Sequence, residues 1–200
     1  IQMDTPGIEV RPMPDIAGGD ELSEVRFDEV HVSAWNLVGE EHEAWRQMEP
    51  AIEIEWSGIE AYGAGRRHLE WLVEAARDEP RLTEQSPGAR LEIADRWIEL
   101  QVGLSVAYRV PLLQQQQGMV PDSEASMSRL YAAELTQRIA GTGMRLLGPA
   151  AQLAAGSPHA RMGGAFSRLY LQSTAATIAQ GTSEVQRNII AQQGLGLPRT

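Results

Sequence analysis

A short segment near the end of the sequence combines residue types that could hold a ligand. Residues 180–184 read Gln-Gly-Thr-Ser-Glu and lead into a stretch with helical periodicity. A helix that begins there offers unpaired backbone N–H groups, two hydroxyls and the positive end of its dipole to the polar atoms of a ligand. The same residue types also form an ordinary helix N-cap, which needs no ligand.

A second candidate is a carboxylate on an apolar helix face. Apolar side chains recur at alternating steps of three and four residues between Trp45 and Val73, which predicts a single helix face. Glu55 lies on this face, one turn from Ile52 and one turn from Ile59. Loss of hydration raises the pKa of such a carboxylate and suits it to proton abstraction near neutral pH. The alternative, which spacing alone favours, is a Glu that pairs with an Arg of a neighbouring helix.

A β region followed by helices must position these residues. In the first part of the chain, apolar and charged residues alternate, which predicts one strand piece at Val25 and Phe27 and another at Val30 and Val32, joined by a tight turn or bulge. The period then becomes helical, and three long helices with short connections predict a bundle. Pro111 is expected to kink the second long helix or to end it early. Helices are predicted over residues 41–77, 88–118, 122–147, 164–180 and 183–193.

Composition excludes several classes of function. The 200 residues carry a formal net charge of −10 and a pI near 4.9, which argues against nucleic-acid binding. The four histidines are scattered, so no metal site is predicted, and the lack of cysteine excludes a disulfide framework and a catalytic thiol. No apolar run approaches the roughly 18 residues that a membrane span needs. These features predict a cytoplasmic globular protein.

Two parts of the sequence resemble a known family. Residues 177–190, which include Gln-Gly-Thr-Ser-Glu and Gln-Arg-Asn-Ile-Ile, closely resemble the C-terminal signature of the flavin-dependent acyl-CoA dehydrogenases, as do residues 194–199, Gly-Leu-Gly-Leu-Pro-Arg. Residues 4–8 and 24–32 resemble the end of the middle β domain of the same family. The resemblance covers nearly the whole chain but only about the second half of a family member.

The resemblance implies a fold and an activity. The expected fold is mainly α, with residues 1–39 as the end of the middle β domain and residues 40–200 as the C-terminal helical bundle. The expected activity is the α,β-dehydrogenation of an acyl-CoA thioester with FAD as cofactor. Electrons would pass to an electron-transfer flavoprotein, and a homo- or heterotetramer is expected.

The resemblance also implies roles for five residues. Thr182, Ser183 and Glu184 are expected to contact FAD. Gln180 and Gly181 are expected to lie against the acyl thioester. Backbone N–H donors at a helix start suit contacts of both kinds.

The catalytic base is expected on the first long helix. In many family members the base is the Glu that precedes Gly-Thr-Ser, but here Gln180, which cannot accept a proton from carbon at neutral pH, occupies that position. A minority of members carries the base on the first long helix of the C-terminal domain. When this helix is aligned with theirs, Glu55 takes the base position, so the resemblance and the helical spacing both indicate Glu55. It would remove the α-proton while the β-hydrogen leaves as hydride to flavin N5.

Two regions depart from the pattern of the family. Residues 79–84 replace an Arg-x-x-Phe-Gly stretch, and residues 145–149 replace a Gln-x-Leu-Gly-Gly motif, both of which carry flavin contacts across a subunit interface in the family. The changes resemble divergent actinobacterial members that act on steroid side-chain CoA thioesters, some of which assemble from two unlike subunits. This chain is expected to be the base-bearing subunit. Two alternatives stay open, a non-catalytic partner subunit and a helical assembly module of the same fold.

Overall fold

The chain folds as two units, Ile1–Pro50 and Ala51–Thr200. A computed structural model describes residues 1–20, 22–48, 57–118 and 121–198. Within these ranges, helices dominate the second unit and a two-stranded sheet organises the first.

The first unit contains an antiparallel hairpin. Strand β1 (Ile8–Met13) pairs with strand β2 (Leu22–Phe27) along its whole length. The backbone N–H of Asp28 donates to the carbonyl of Gly7 over 2.8 Å and closes the open end of the hairpin. Both strands are largely exposed, and an isolated two-stranded sheet is marginally stable in water.

The second strand piece predicted at Val30 and Val32 is wrong. The chain leaves the sheet after β2 because Glu29 adopts a left-handed φ of 46°, and residues 30–33 follow without strand pairing. A 3₁₀ turn at Ala34–Asn36 comes next, where the Ser33 hydroxyl accepts from the N–H of Trp35. Residues 44–48 are helical.

The helices of the second unit pack around one central helix. Helix α4 contacts α1, α3, α5 and α6. Short 3₁₀ segments, Gly148–Gln152 and Arg161–Gly164, connect α4 to α5, and a π-helical turn, Ile190–Gly194, extends α6. The helices are α1 (Ile59–Asp78), α2 (Arg81–Glu84), α3 (Ala89–Gln117), α4 (Asp122–Leu147), α5 (Ala165–Ala176) and α6 (Ser183–Ile189).

Close helix approach in the core depends on two glycines. A Cβ at Gly103 of α3 would overlap the ring of Tyr62, and a Cβ at Gly143 of α4 would overlap the ring of Phe166. Both rings are 1% exposed, so these contacts place the largest core side chains between α1, α3, α4 and α5. Aliphatic residues complete the core: Leu69, Leu72, Ile93, Leu100, Leu135, Ile139, Leu146 and Leu147.

The predicted helix over residues 41–77 is wrong as a single element. Gly58 has a left-handed φ of 67°, and α1 begins only at Ile59. A Cβ built on Gly58 would lie 3.1 Å from the Cβ of Ala132, so a glycine both permits the turn and lets it approach α4. The continuous apolar face on which Glu55 was placed is therefore interrupted at Gly58, and Glu55 itself lies outside the described residues.

Two other boundaries differ from the sequence prediction. Helix α3 continues through Pro111 to Gln117, so the proline does not end it early. Helix α5 ends at Ala176 and not at residue 180: residues 177–180 form turns, and the backbone reaches positive φ at Gln180 and Gly181. No helix within the described ranges is long and apolar enough to cross a membrane.

Candidate ligand site at the turn before α6

A tight turn joins α5 to α6. Gln180 has φ of 55° and Gly181 has φ of 90°, and a left-handed conformation is uncommon for a residue other than glycine. The N–H of Ser183 donates to the carbonyl of Thr177 over 3.0 Å, which closes the turn on itself. Gln186 lies beneath it, 1% exposed, and its Nε2 donates to the carbonyl of Gln180 over 3.2 Å. The turn is therefore held from inside the protein.

The start of α6 is capped by its own residues. Thr182 is the N-cap, and its Oγ1 accepts from the backbone N–H of Val185 over 3.3 Å. The pKa of Glu184 is lowered, first by a hydrogen bond from its own backbone N–H and then by one from Thr182. The ordinary N-cap that the sequence allows is therefore present.

A cavity of about 700 Å³ opens beside this helix start, and we call it the arginine cavity. Thr182, Ser183 and Glu184 all line it, together with residues of α3 and α4. Four arginines also line it, namely Arg96, Arg138, Arg145 and Arg187. The three residues predicted to contact FAD are thus brought together in one charged cavity.

The arginines of this cavity are paired with carboxylates. Two hydrogen bonds lower the pKa of Glu92. The bond from the guanidinium of Arg145 has the larger effect, and the bond from the hydroxyl of Thr142 has the smaller one. These pairs tie α4 to α3 and to α6 and fix the orientation of the guanidinium groups. The pairs between elements are Arg145 with Glu92, Arg138 with Glu99 at 3.2 Å, and Arg187 with Glu134.

A second cavity, of about 460 Å³, is lined by Gln180, and we call it the Gln180 cavity. Residues 57–61, at the start of α1, and Arg129 of α4 complete its lining. The Oγ of Ser128 donates to the carbonyl of Ser57 over 2.5 Å, and the hydroxyl of Tyr62 donates to the carbonyl of Ser128 over 2.9 Å. These bonds fix the start of α1 against α4, and burial raises the pKa of Tyr62 to about 12.

Arg129 is a buried cation with neutral partners. It is 9% exposed, and its Nη2 donates to the carbonyls of Ala176 and Ala179 over 3.1 and 3.0 Å. Its Nε is buried without a hydrogen-bond partner, and burial lowers the pKa of the guanidinium. Among the described residues, no carboxylate forms an ion pair with it. Arg129 therefore holds the turn and leaves positive charge in the Gln180 cavity that an anionic group could neutralise.

The predicted site residues fall into four groups. The three residues predicted to contact FAD line the arginine cavity, and Gln180, predicted to contact the thioester, lines the other cavity. Gly181 lies between Gln180 and Thr182 in the sequence. A Cβ on Gly181 would lie 2.6 Å from Nε2 of Gln186. Glu55, the predicted base, is not among the described residues. Within the described ranges, no group of three or more His, Asp or Glu side chains could hold a metal ion.

Two residues of the candidate site, Arg129 and Gln186, were not predicted from the sequence. Arg129 lies on the buried face of α4, four residues after Ala125 and three before Ala132. An ionisable residue at helical spacing within an apolar stripe is the same signal that indicates Glu55, and it could have identified Arg129. Gln186 could not be found in this way, because its contact to Gln180 depends on the left-handed turn.

Comparison with known proteins places the chain among acyl-CoA dehydrogenases. Residues 56–195 match the family described as "Acyl-CoA dehydrogenase, C-terminal domain". The chain is 30% identical to acyl-CoA dehydrogenase IpdE1 of Mycolicibacterium smegmatis, over all of this chain and 48% of that protein. It is 29% identical to acyl-CoA dehydrogenase FadE26 of Mycobacterium tuberculosis, over 96% of this chain and 50% of that protein. The chain therefore spans about half the length of these relatives.

Solved structures share the fold. The whole chain superposes on 52% of a chain of the ChsE4-ChsE5 complex from Mycobacterium tuberculosis, with a TM-score of 0.79 and 27% identity. It also superposes on 51% of a chain of the Tcur3481-Tcur3483 steroid ACAD, with a TM-score of 0.87 and 24% identity. The second likeness concerns the fold alone.

Proposed function

The chain belongs to the acyl-CoA dehydrogenase family, and we propose that it forms the C-terminal helical half of an enzyme that removes hydrogen from Cα and Cβ of an acyl-CoA thioester. One observation carries this proposal. Gln180 lines one cavity and Thr182, two residues later in the same turn, lines another, so two ligands can meet at the turn. A reaction between a bound acyl thioester and a bound cofactor needs that arrangement.

The residues of the arginine cavity fit a flavin dinucleotide. Ser183 supplies a hydroxyl, and Arg138 and Arg145 keep N–H donors beyond those that their carboxylate partners use. Guanidinium and hydroxyl donors suit phosphate and ribityl oxygens. We assign FAD to this cavity, with Thr182, Ser183 and Glu184 as contacts. When bound, the flavin would supply the acceptor for the hydride.

The thioester is assigned to the Gln180 cavity. Gln180 and Gly181 would lie against the thioester, as the family resemblance implies. Arg129 would stabilise negative charge that develops on the thioester carbonyl when the α-proton leaves, because the cation is buried and its partners are neutral. The turn and Arg129 are fixed before the ligand arrives, so this stabilisation needs no rearrangement.

Glu55 is proposed as the base that removes the α-proton. Ser57 lines the Gln180 cavity, and Glu55 precedes it by two residues in the sequence. Two residues span at most about 7 Å, so the chain itself keeps Glu55 close to a residue of the cavity wall. The positive charge of Arg129 would favour the ionised form of a carboxylate that enters this cavity and oppose the effect of burial.

The substrate class and the partners are proposed from the family resemblance and from the names of the relatives. A steroid-derived acyl group is proposed as the substrate, because residues 79–84 and 145–149 resemble the divergent family members that act on steroid side-chain CoA thioesters. The ChsE4-ChsE5 complex carries a two-component name, which supports an oligomer, and we propose a homo- or heterotetramer. An electron-transfer flavoprotein is proposed as the electron acceptor. The cytoplasmic location remains a prediction from composition.

A non-catalytic partner subunit is the second candidate. Gln180 stands where many family members carry the base, and the arginines of the arginine cavity are already paired with carboxylates. Both features would suit a subunit that supports a catalytic partner. A helical assembly module that binds no flavin is the remaining alternative.

An anaerobic titration separates these functions. The protein in its native assembly is mixed with an acyl-CoA thioester, and the visible flavin band is followed. We expect the acyl-CoA thioester to bleach the flavin band of the native protein. Glu55→Gln should slow this bleaching by about 10³-fold. Glu53→Gln is the matched control and should bleach at close to the native rate. Native bleaching by the Glu55→Gln variant would contradict the assigned base, and protein that never contains flavin would support the assembly module.

A further inference from the structure

The Gln180 cavity has a second charged residue in its lining besides Arg129. Glu60, the second residue of α1, lines the cavity and is exposed in the chain. Within the described part of the chain, Glu60 forms no ion pair. The residues three and four positions later on α1, Gly63 and Ala64, carry no charge that could reach it. Its carboxylate is therefore available to a ligand of the cavity.

Glu60 has one evident structural role. It lies in the first turn of α1, where Gly58 is the N-cap and supplies no side-chain hydrogen bond. A carboxylate in that turn interacts favourably with the positive end of the helix dipole. This role is the same for every ligand of the cavity, so it cannot make the protein prefer one ligand to another.

A purely hydrocarbon ligand would leave the carboxylate of Glu60 poorly solvated. The cavity of about 460 Å³ lies within the range of small-molecule sites, about 300–1,000 Å³, and Ile59 and Ala61 form apolar parts of its wall. An apolar acyl group that fills this space displaces water from the carboxylate and returns no hydrogen bond, which is unfavourable. An acyl group with a hydrogen-bond donor beside Glu60 replaces the lost water.

We propose that Glu60 is a specificity-determining residue that favours acyl groups with a hydroxyl group. This inference rests on the proposed function, because it takes the acyl thioester as the occupant of the Gln180 cavity. An ionised carboxylate accepts hydrogen bonds and donates none, so the ligand must supply the donor. An ammonium donor would also approach Arg129, a buried cation in the same cavity lining, which would repel it. A neutral hydroxyl group avoids this repulsion.

The size of the preference follows from the surroundings of Glu60. Hydrogen bonds to charged groups are stronger than those between neutral groups. A fully buried polar group that binds a substrate hydroxyl can reject the analogue without it by about 10⁴-fold or more. Because Glu60 is exposed before the ligand binds, we expect a smaller preference, of about tenfold.

Binding of CoA thioethers tests the proposal without turnover. S-(cyclohexylmethyl)-CoA and its forms hydroxylated at ring position 3 or 4 lack the carbonyl group that makes an α-proton acidic, so they are not dehydrogenated. Their dissociation constants are measured by calorimetry on the protein in its native assembly. At least one hydroxylated form should bind about tenfold more tightly than the parent compound.

Substitutions of Glu60 show whether it causes the preference. Glu60→Ala should abolish it, and Glu60→Gln, which keeps an acceptor oxygen, should retain part of it. Glu74→Ala is the matched control, because Glu74 is an exposed carboxylate of the same helix that forms no ion pair with another described residue. Glu74 lies about 21 Å from Glu60 along α1, so its substitution should leave the preference unchanged.

Three results would overturn the role of Glu60 in specificity. The first is equal binding, or no binding, of the parent and all hydroxylated thioethers. The second is a preference that survives Glu60→Ala. The third is that Glu60→Ala weakens the binding of every thioether by the same factor, because Glu60 would then act only on the structure at the start of α1.

The corresponding thioesters separate this inference from the proposed function. If they all bleach the flavin and the hydroxyl group makes no difference, the specificity fails and the activity stands. If the thioethers are discriminated and no thioester bleaches the flavin, the proposed activity fails and the specificity stands. Loss of bleaching in Glu60→Ala at unchanged thioether binding would assign proton removal to Glu60 and overturn its role in specificity.

Discussion

The arginine cavity and the Gln180 cavity are lined by neighbouring residues of one turn, yet they differ in how charge is balanced. In the arginine cavity, Arg138, Arg145 and Arg187 are each paired with a carboxylate. In the Gln180 cavity, the buried Arg129 has only backbone carbonyls as described partners. A paired cation offers directed hydrogen bonds to a polar ligand, whereas an uncompensated buried cation stabilises new negative charge. Under the proposed function, the first cavity would hold the cofactor and the second would carry the chemistry.

Removal of Arg129, the buried cation of the Gln180 cavity, should have the largest effect on stability. Arg129→Met leaves the carbonyls of Ala176 and Ala179 without a donor and should lower the free energy of unfolding by about 3 kcal/mol. Arg129→Lys keeps the charge with fewer donors and should lose about half as much. Urea unfolding of the chain measures both. A change below about 0.5 kcal/mol for Arg129→Met would show that the guanidinium does not hold the turn.

The rigidity of the turn is tested by two glycine substitutions. Gly181→Ala and Gly88→Ala both place a Cβ at a φ near 90°, which costs about 1 kcal/mol. Only at Gly181 does the new Cβ also displace Gln186, since nothing lies within 4 Å of the Cβ position at Gly88. We therefore expect Gly181→Ala to lower stability by about 1 kcal/mol more than Gly88→Ala. Equal losses in urea unfolding would mean that Gln186 does not support the turn.

The paired arginines should give a smaller, pH-dependent effect. The pKa of Glu92 is lowered in the folded protein, so its pair with Arg145 contributes stability above the unfolded pKa of about 4.3 and loses it as pH falls through the folded value. Arg145 is 61% exposed, so Arg145→Gln should cost about 1 kcal/mol or less near pH 7. The difference from the native protein should shrink as pH falls below the unfolded pKa and vanish once Glu92 is protonated in the folded protein as well. A cost that is constant with pH would exclude the ion pair as its cause.

Local patterns in the sequence predicted much of the helical bundle. The spacing of apolar residues and the breakers between them placed α3, α4 and α6 within a few residues of their ends. The periodicity failed at Gly58, because steps of three and four residues continue across it while its left-handed backbone interrupts the helix. At Pro111 the periodicity was right and the breaker rule was not, since α3 continues through the proline instead of ending early.

The site was predictable where it follows a contiguous motif and not where it depends on the fold. Thr182 to Glu184 are consecutive, so any helix start would bring them together, and they do line one cavity. Arg129 enters the site from α4, 50 residues before Ala179, to which it donates. The family resemblance predicted that Gln180 and Gly181 contact the thioester. The left-handed φ of Gln180 could not be predicted from the sequence. Contacts of this kind arise only when helices pack.

The assignment of one ligand to each cavity is tested most directly by two substitutions measured in two ways. Gln180→Asn shortens a side chain of the Gln180 cavity with a residue that tolerates left-handed φ, and Arg145→Gln removes a cation from the arginine cavity. Flavin content and the thioester concentration that half-bleaches the flavin are measured for each variant in its native assembly. We predict that Gln180→Asn raises that concentration at unchanged flavin content, and that Arg145→Gln lowers flavin content without changing the response of the flavin that remains. Equal changes of both quantities in both variants would contradict the two-cavity assignment.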